Sequence, residues 1–198
     1  MLTTILFDLG GVLAEFSWDA ILPHFFDAAD VPLARSVILR QWRALDGGQL
    51  DYDAYAAESA ALLPERLRPA CARFFREWFT TMTPIADMWA LAARLKARGL
   101  RVFLLSNATT RFAERAPEVF GVLRMFDGTL FSANVRMLKP DAEIYQYALH
   151  RFGLRAEECL FIDDMPENVE GARRCGLCAW RFDGDVAALA RHIDALLG

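Results

Sequence analysis

Residues 5–13, with the sequence ILFDLGGVL, end an apolar run at a carboxylate and then turn through two glycines. The apolar run is typical of a buried strand, which gains nothing in packing from ending on Asp8. Paired glycines let the backbone approach a ligand closely, and their amides can cradle an anion. The stretch therefore predicts a strand that leads into a ligand-binding loop, with Asp8 as its chemically active residue.

Four later apolar runs predict further strands. They are RVFLLS (101–106), TLFSA (129–133), CLFID (159–163) and LCAWRF (177–182). Helical patterns lie between the later runs, and one of them, DAEIYQYALHRFG (141–153), ends on a glycine after a basic last turn, as helices often do. Alternating strands and helices indicate the α/β class. The expected fold is a Rossmann-like parallel sheet flanked by helices.

The segment between the first two strands is too long for a single crossover helix. Residues 15–82 show helical periodicity with interleaved aromatic residues. We interpret them as a helical cap domain inserted after the first strand, which leaves residues 1–14 and 83–198 as the core domain. The aromatic residues of the cap are expected to pack in its interior. They include Phe25, Phe26, Trp42, Tyr55, Phe74, Phe75 and Trp78.

The composition narrows the classes of protein to consider. The chain has 198 residues, 55% of them hydrophobic, and a formal net charge of −4. Such a chain can bury a large core, and its charge leaves no basic footprint for nucleic acid. No apolar run is long enough to span a membrane, and the first residues lack the features of a signal peptide. We therefore expect a cytoplasmic monomer or homodimer that binds neither nucleic acid nor membrane.

The cysteines fit a reducing compartment, because each lies among apolar neighbours, where a thiol acts as a small hydrophobe. Cys175 and Cys178 have the spacing of a redox motif. A helix is expected to end at the first of them and a strand to begin at the second, which would separate the two thiols. We therefore expect no redox role for the pair.

Polar residues follow three of the predicted strands, at the edge of a parallel sheet where ligands bind. They are Asp8 after the first strand, Ser106 and Asn107 after the second, and Asp163 and Asp164 after the fourth. Two adjacent carboxylates repel each other unless a cation lies between them, and oxygen ligands of this kind suit Mg²⁺. Because neighbours on a strand point to opposite faces, we expect one direct metal ligand, Asp164, with Asp163 adjacent or bound through water.

Two further groups suit an anionic ligand. Ser106, just before a helix, can hold a phosphate oxygen together with helix-start amides. Lys139 is one of only two lysines among 22 basic residues. In so arginine-rich a chain, a lysine directly before a proline that starts a helix indicates a site that needs a compact point charge.

Four segments, in order, resemble the motifs of the haloacid dehalogenase-like hydrolase superfamily. They are FDLGGVL (7–13), LLSNA (104–108), LKP (138–140) and FIDDMPENVEGA (161–172). The helical insertion resembles the small cap of the phosphatase subgroup, and GGQLDYDAYAAE (47–58) within it looks like a recurrent cap segment. The resemblance covers nearly the whole chain and implies hydrolysis of a small phosphorylated metabolite with Mg²⁺ as cofactor.

The resemblance also implies roles for single residues. Asp8 would be the nucleophile that becomes an aspartyl-phosphate, while Ser106 and Lys139 would complete the catalytic set. The substrate phosphate would be bound by Gly11, Ser106, Asn107 and Lys139. The metal would be held by Asp8, the backbone carbonyl of Gly10, Asp163 and Asp164.

Gly10 departs from the family pattern, because most phosphatases of the superfamily carry a second aspartate there. That aspartate is the general acid and base, a group typically worth about 10²–10⁴ in rate. Some sugar phosphatases of the family also have glycine at this position. Glu15, Glu167, a cap residue or water are the candidates to handle the proton. Phe16, Trp18 and Asp19 are candidates for substrate selection at the cap entrance, although packing is the expected role of the two aromatic residues.

Three functional hypotheses follow. The favoured one is a Mg²⁺-dependent phosphatase acting on a small organic phosphomonoester such as a sugar phosphate. The second is a metal-independent 2-haloacid dehalogenase, whose first motif also lacks the second aspartate because a halide leaves without a proton. The third is a catalytically weak binding or regulatory protein. The Asp163–Asp164 pair favours the first over the second, and the intact Asp8, Ser106 and Lys139 argue against the third.

Overall fold

A computed structural model describes all 198 residues, and its centre is a five-stranded sheet in which every pairing is parallel. The strand order is β3-β2-β1-β4-β5. The strands are β1 (Thr4–Phe7), β2 (Arg101–Ser106), β3 (Gly128–Phe131), β4 (Cys159–Asp163) and β5 (Cys178–Arg181). The predicted α/β class and the parallel sheet are confirmed.

β1 lies in the middle of the sheet, between β2 and β4. Its residues Ile5, Leu6 and Phe7 are fully buried. An unbroken apolar run is typical of a parallel strand that is covered on both faces, and this explains why the first segment of the sequence alternates so little.

The segment between β1 and β2 is helical up to Thr81, as predicted. Its helices are α1 (Trp18–Ile21), α2 (Val31–Ile38), α3 (Trp42–Asp46), α4 (Tyr52–Leu62) and α5 (Arg68–Glu77), with 3₁₀ turns at Leu22–His24, Glu65–Leu67 and Trp78–Thr81. The side chain of Asp51 caps α4 by accepting a hydrogen bond from the amide of Ala54 at 2.8 Å. The division of the chain into core and cap domains stays a prediction.

The remaining helices cover the sheet. They are α6 (Ala86–Ala97), α7 (Thr110–Val119), α8 (Ser132–Val135), α9 (Ala142–Phe152), α10 (Pro166–Arg174) and α11 (Val186–Leu197). One prediction needs correction here. The third strand was expected to continue to residue 133, but it ends at Phe131 because the chain turns directly into α8.

Two apolar clusters lie on the two faces of the sheet. The larger contains 45 buried residues and joins β1 and β2 to α6, α11 and the helical insertion. The smaller contains 11 buried residues, from the sheet, α9 and α10. The aromatic residues of the insertion pack as expected, with Phe74 fully buried and Trp78 stacked on Phe112 at 5.5 Å between ring centroids.

The cysteines are all free, and Cys175 caps the end of α10 while Cys178 begins β5. This confirms the expected separation of the helix end from the strand. The helices offer no segment with the length and apolarity that crossing a membrane would require.

Candidate active site

The polar residues at the strand ends converge, as predicted. Asp8 directly follows β1, and its amide donates to the carbonyl of Ile162 in β4 at 2.9 Å. Ser106 is the last residue of β2 and Asp163 the last of β4. Since β1 is paired in parallel with both of these strands, the three side chains meet at one edge of the sheet.

Lys139 lies at the centre of this edge and is 1% exposed. Its Nζ lies 2.9 Å from Asp8 Oδ1, 2.7 Å from Asp163 Oδ2 and 3.0 Å from the carbonyl oxygen of Leu105, to which it donates. Burial opposes the charge of Lys139, but the two carboxylates outweigh it and raise its pKa. The lysine is therefore a fixed buried cation.

Asp163 is fully buried, and donors surround its carboxylate. It accepts hydrogen bonds from the amide of Met165 at 2.9 Å, from Asn168 Nδ2 at 3.0 and 3.1 Å, and from Lys139. It does not line the cavity described below. This geometry suits a residue that orients Lys139, in keeping with the expectation that Asp163 is no more than an indirect metal ligand.

Asp164 lines the cavity and contacts Gly11 closely. A Cβ atom on Gly11 would lie 2.4 Å from Asp164 Oδ2, and the backbone of Gly11 has φ +74°, so both contact and conformation require glycine. Burial and the neighbouring Asp163 raise the pKa of Asp164. A cation at this edge would favour its ionised form.

The arrangement of Asp8, Asp163 and Asp164 fits a divalent cation. One carboxylate oxygen from each lies within 4.8 Å of the others. Asp8 Oδ1 is buried and has no hydrogen-bond donor in suitable geometry, because Lys139 approaches it as an ion pair only. Oxygen ligands of this type suit Mg²⁺. Gly10, whose carbonyl is the further predicted ligand, lines the same cavity.

The environment of Asp8 also favours a nearby cation. Burial raises the pKa of Asp8 to about 6; Lys139 opposes this shift and Asp163 adds to it, while the Ser106 hydroxyl lowers the pKa slightly. Asp8 must be ionised to act as the predicted nucleophile, so further positive charge at this edge would extend the pH range in which it can do so.

Asn107 holds the backbone of Lys139 from both sides. Its Oδ1 accepts from the amide of Lys139 at 2.9 Å, and its Nδ2 donates to the carbonyl of Lys139 at 3.0 Å. Both ends of the Asn107 amide are thus engaged within the protein. Its predicted role in substrate binding stays a prediction, and the contacts indicate a positioning role.

A cavity of about 230 Å³ lies above these residues. Its floor includes Asp8, Ser106, Lys139 and Asp164 from the core. Its walls are largely aromatic and come mainly from the insertion: Phe16, Trp18, Trp42, Trp78, Met82 and, from α7, Phe112.

Phe16 and Trp18 have two roles, since they line the cavity and also pack together edge-on at 4.9 Å between ring centroids. Asp19, the third candidate for substrate selection, lies outside the cavity and pairs with Arg35 on the surface. The structure therefore does not support Asp19 as a cavity residue.

The sequence analysis missed Asp46, an acidic residue of the cavity. It ends α3 and directly precedes the GGQLDYDAYAAE segment, which is the signal that could have drawn attention to it. Glu15 and Glu167, which the sequence analysis offered as proton-transfer candidates, are exposed and lie outside the cavity.

Comparison with known proteins gives a consistent result. Residues 2–176 match the family of haloacid dehalogenase-like hydrolases. A sesquiterpene phosphatase of Aspergillus oryzae is 30% identical over 98% of this chain and 95% of its own length. An (S)-2-haloacid dehalogenase of Burkholderia cepacia is 30% identical over 85% of this chain and 65% of its own length.

The fold also matches solved structures. A haloacid dehalogenase family enzyme of Bacteroides thetaiotaomicron, solved in complex with magnesium and inorganic phosphate, aligns with a TM-score of 0.72 over 93% of this chain and 96% of its own, at 20% identity. The family match spans strands β1 to β4, the helical insertion and all four motifs. The chain therefore belongs to the haloacid dehalogenase-like hydrolases.

Proposed function

We propose that this hydrolase is a Mg²⁺-dependent phosphatase that cleaves a small organic phosphomonoester through an aspartyl-phosphate intermediate. The observation that carries the proposal is the buried Lys139, fixed between Asp8 and Asp163 at the floor of a cavity that Asp164 also lines. A carboxylate is a weak nucleophile toward an anionic phosphate, and fixed positive charge offsets their repulsion.

The residues of the floor have separate tasks in this mechanism. Asp8 attacks the phosphorus atom, and the bond from phosphorus to the ester oxygen breaks. Lys139 stabilises the charge on the transferring group, and Ser106 holds its oxygens. The predicted contact of Gly11 with the phosphate is not supported, because its amide donates to the carbonyl of Ala14 at 2.8 Å and Gly11 lies outside the cavity. Water then hydrolyses the aspartyl-phosphate and restores Asp8.

Asp8, Asp164 and the Gly10 carbonyl are the residues that we propose as Mg²⁺ ligands, with Asp163 behind them. When bound, Mg²⁺ supplies further positive charge to the phosphoryl group. The Bacteroides enzyme was solved with magnesium and inorganic phosphate, which supports Mg²⁺ as the cation.

The aromatic wall bears on the identity of the substrate. Seven of the lining side chains are aromatic or methionine, and such a wall favours an organic group with an apolar body over a polyhydroxylated one. The sesquiterpene phosphatase of Aspergillus oryzae supports this choice. We therefore propose an apolar phosphomonoester as a better substrate than the sugar phosphate expected from the family resemblance. A small phosphorylated metabolite remains the proposed partner.

A 2-haloacid dehalogenase is the second candidate, supported by the Burkholderia relative and by the absence of a carboxylate at Gly10. An apolar wall would also suit a haloacid. The presence of Asp164 in the cavity, close to Asp8, favours the phosphatase because a metal-independent displacement of halide has no use for it.

Phosphate release from p-nitrophenyl phosphate, hexyl phosphate and glucose phosphates, with Mg²⁺ or with chelator, tests the proposal. We expect turnover that needs both Mg²⁺ and Asp8, with hexyl phosphate preferred to the sugar esters. Asp8→Asn should abolish turnover, whereas Asp27→Asn, the same change at an exposed position of the insertion, should not. Chelator-resistant chloride release from 2-chloropropionate, without phosphate release, would establish the dehalogenase instead.

A further inference from the structure

An alkyl phosphate needs a proton on its leaving oxygen, and Gly10 cannot supply one. This inference rests on the proposed phosphatase function and concerns the source of that proton. A group that donates it must lie in the same cavity as Asp8 and must be free of the metal cluster and of ion pairs.

Asp46 meets these conditions. Three carboxylic acids line the cavity, and two of them, Asp8 and Asp164, belong to the cluster suited to a metal. Asp46 is the third, and no lysine, arginine or histidine nitrogen lies within 4.0 Å of its carboxylate. It is therefore the one acid of the cavity with neither a metal nor a cation to keep it ionised.

The backbone around Asp46 is held against the core. The carbonyl of Asp46 accepts a hydrogen bond from Ser132 Oγ at 2.6 Å, and Ser132 Oγ in turn accepts from the amide of Ala108 at 2.9 Å. These bonds connect the end of α3 to α8 and to the segment after β2. Asp46 is thus positioned by the core although it belongs to the insertion.

The two glycines after Asp46 make this contact possible. A Cβ on Gly48, which has φ +62°, would lie 2.3 Å from the carbonyl oxygen of Ala133. At Gly47 a Cβ would lie 3.1 Å from Leu138, the residue before Lys139. Position 48 therefore requires glycine, whereas a side chain at position 47 would need Leu138 to shift slightly, so the turn after Asp46 packs closely against the core.

The surroundings of Asp46 favour its protonated form. Burial raises the pKa of Asp46 to about 8; contact with Trp42 lowers it in part, the charge of Asp8 raises it, and Arg43 lowers it. The facing helix α8 carries no charged side chain. At neutral pH the group therefore holds a proton that it can donate, which is the usual adaptation of a carboxylic acid to acid catalysis.

We infer that Asp46 is the general acid and base that replaces the carboxylate missing at position 10. As Asp8 attacks phosphorus and the ester bond breaks, the proton of the Asp46 carboxyl moves to the leaving oxygen and the alcohol departs neutral. Asp46, now a carboxylate, takes a proton from the water that attacks the aspartyl-phosphate. The bond between phosphorus and Asp8 breaks, phosphate leaves, and both carboxyl groups return to their starting states.

The test compares two esters that differ in their need for the proton. p-Nitrophenolate leaves unprotonated, whereas hexanolate does not. With Asp46→Asn, kcat/KM for hexyl phosphate should fall by about 10²–10⁴, and that for p-nitrophenyl phosphate by far less. The matched control Asp27→Asn should leave the ratio of the two unchanged. Equal losses with both esters would mean a structural role and overturn the inference, as would a leaving-group-dependent loss in Glu15→Gln.

The unmodified protein provides a second readout. Because the acid must hold its proton, hexyl phosphate turnover should fall as the pH rises through about 8, and p-nitrophenyl phosphate turnover should not. Identical alkaline profiles for the two esters would contradict the assignment. If the unmodified protein hydrolyses neither ester with Mg²⁺, the proposed function itself fails and the inference fails with it.

Restoring a carboxylate at position 10 provides a third test. A Cβ on Gly10 would lie 3.3 Å from the Cβ of Phe16, so room is needed for a new side chain. In the Asp46→Asn background, Gly10→Asp combined with Phe16→Ala should recover part of the hexyl phosphate turnover. Phe16→Ala alone in that background should recover none. Recovery by Phe16→Ala alone would show that the loss arose from cavity shape.

Discussion

The floor and the wall of the cavity differ in whether their charged groups have ion-pair and hydrogen-bond partners. At the floor, Lys139 is paired with two carboxylates, and Asp163 is surrounded by donors. The wall is aromatic and contains a single acid, Asp46, with no ion-pair partner. The floor comes from strand ends of the sheet, whereas the wall comes mainly from the helical insertion.

This difference separates the two halves of the proposed reaction. The phosphoryl group is common to all phosphomonoesters, and the floor that faces it consists of carboxylates, a buried lysine and a serine hydroxyl. The leaving group varies between esters, and the wall that faces it is apolar with one proton donor. Changes at the floor should therefore impair every ester alike, and changes at the wall should alter the ranking of esters.

The largest effect is expected at the floor, from Lys139→Met. Removal of the shared cation leaves Asp8 and Asp163 buried without their partner, which should lower the free energy of unfolding by about 3–5 kcal/mol. Turnover of aryl and alkyl esters should be lost to the same extent. Urea unfolding and assays with both esters measure the two effects.

The double variant Lys139→Met with Asp163→Asn serves as its control. Removing one of the two stranded charges should recover part of the lost stability and none of the activity. Retention of turnover in Lys139→Met, or a loss confined to alkyl esters, would contradict the separation of floor from wall.

A smaller effect is expected from Asn107→Ala, which removes both hydrogen bonds to the backbone of Lys139. Misplacement of Lys139 should lower kcat by about 10–100-fold for both esters and leave KM nearly unchanged. Steady-state kinetics separate the two constants. A rise in KM with constant kcat would instead favour the direct substrate contact that the family resemblance implies.

The smallest expected effect comes from Asp46 in the wall, and it concerns the stability of the protein. The pKa of Asp46 is raised from its ordinary value of 3.8 to about 8 in the folded protein, so the folded state binds the proton more tightly than the unfolded chain. The contribution of Asp46 to the free energy of unfolding is therefore fully present below pH 3.8 and is lost as the pH rises toward 8.

Replacing Asp46 with a neutral side chain should remove this loss of stability at high pH. Asp46→Asn should raise the melting temperature by several degrees at pH 8.5, since about 1 kcal/mol corresponds to about 2–4 °C in a chain of this length, with a smaller gain at pH 5. Calorimetry at the two pH values measures the change, and Asp27→Asn should show no such dependence. An equal effect at both pH values would mean that Asp46 is not held protonated by its surroundings.

Much of the floor could be predicted from the sequence, because it depends on local rules. Asp8 and Asp163 end apolar runs, and parallel strands bring their carboxyl ends to one edge. Side chains alternate between the two faces of a strand, so Asp163 and Asp164 were expected to point in different directions. In the structure Asp163 is fully buried, whereas Asp164 lines the cavity.

The missed features depend on contacts between distant segments. Asp46 enters the cavity because α3 is docked on α8, and the glycine pair that follows Asp46 does not by itself reveal which distant segment it packs against. The paired bonds of Asn107 likewise involve a residue 32 positions away. The early end of β3 reflects a competition between strand and helix after Phe131 that an apolar run alone does not decide.

The large apolar cluster, which the insertion shares with one face of the sheet, also limits how the protein can change. If the insertion were deleted or exchanged for another, Phe112 of α7 would lose the side chains of Trp78 and Phe79 that pack against it. We therefore expect heat or denaturant to unfold the chain in one cooperative transition. New substrate preferences in such a protein should arise by point substitutions along the wall, since replacement of the whole insertion would remove the aromatic packing that joins it to α7.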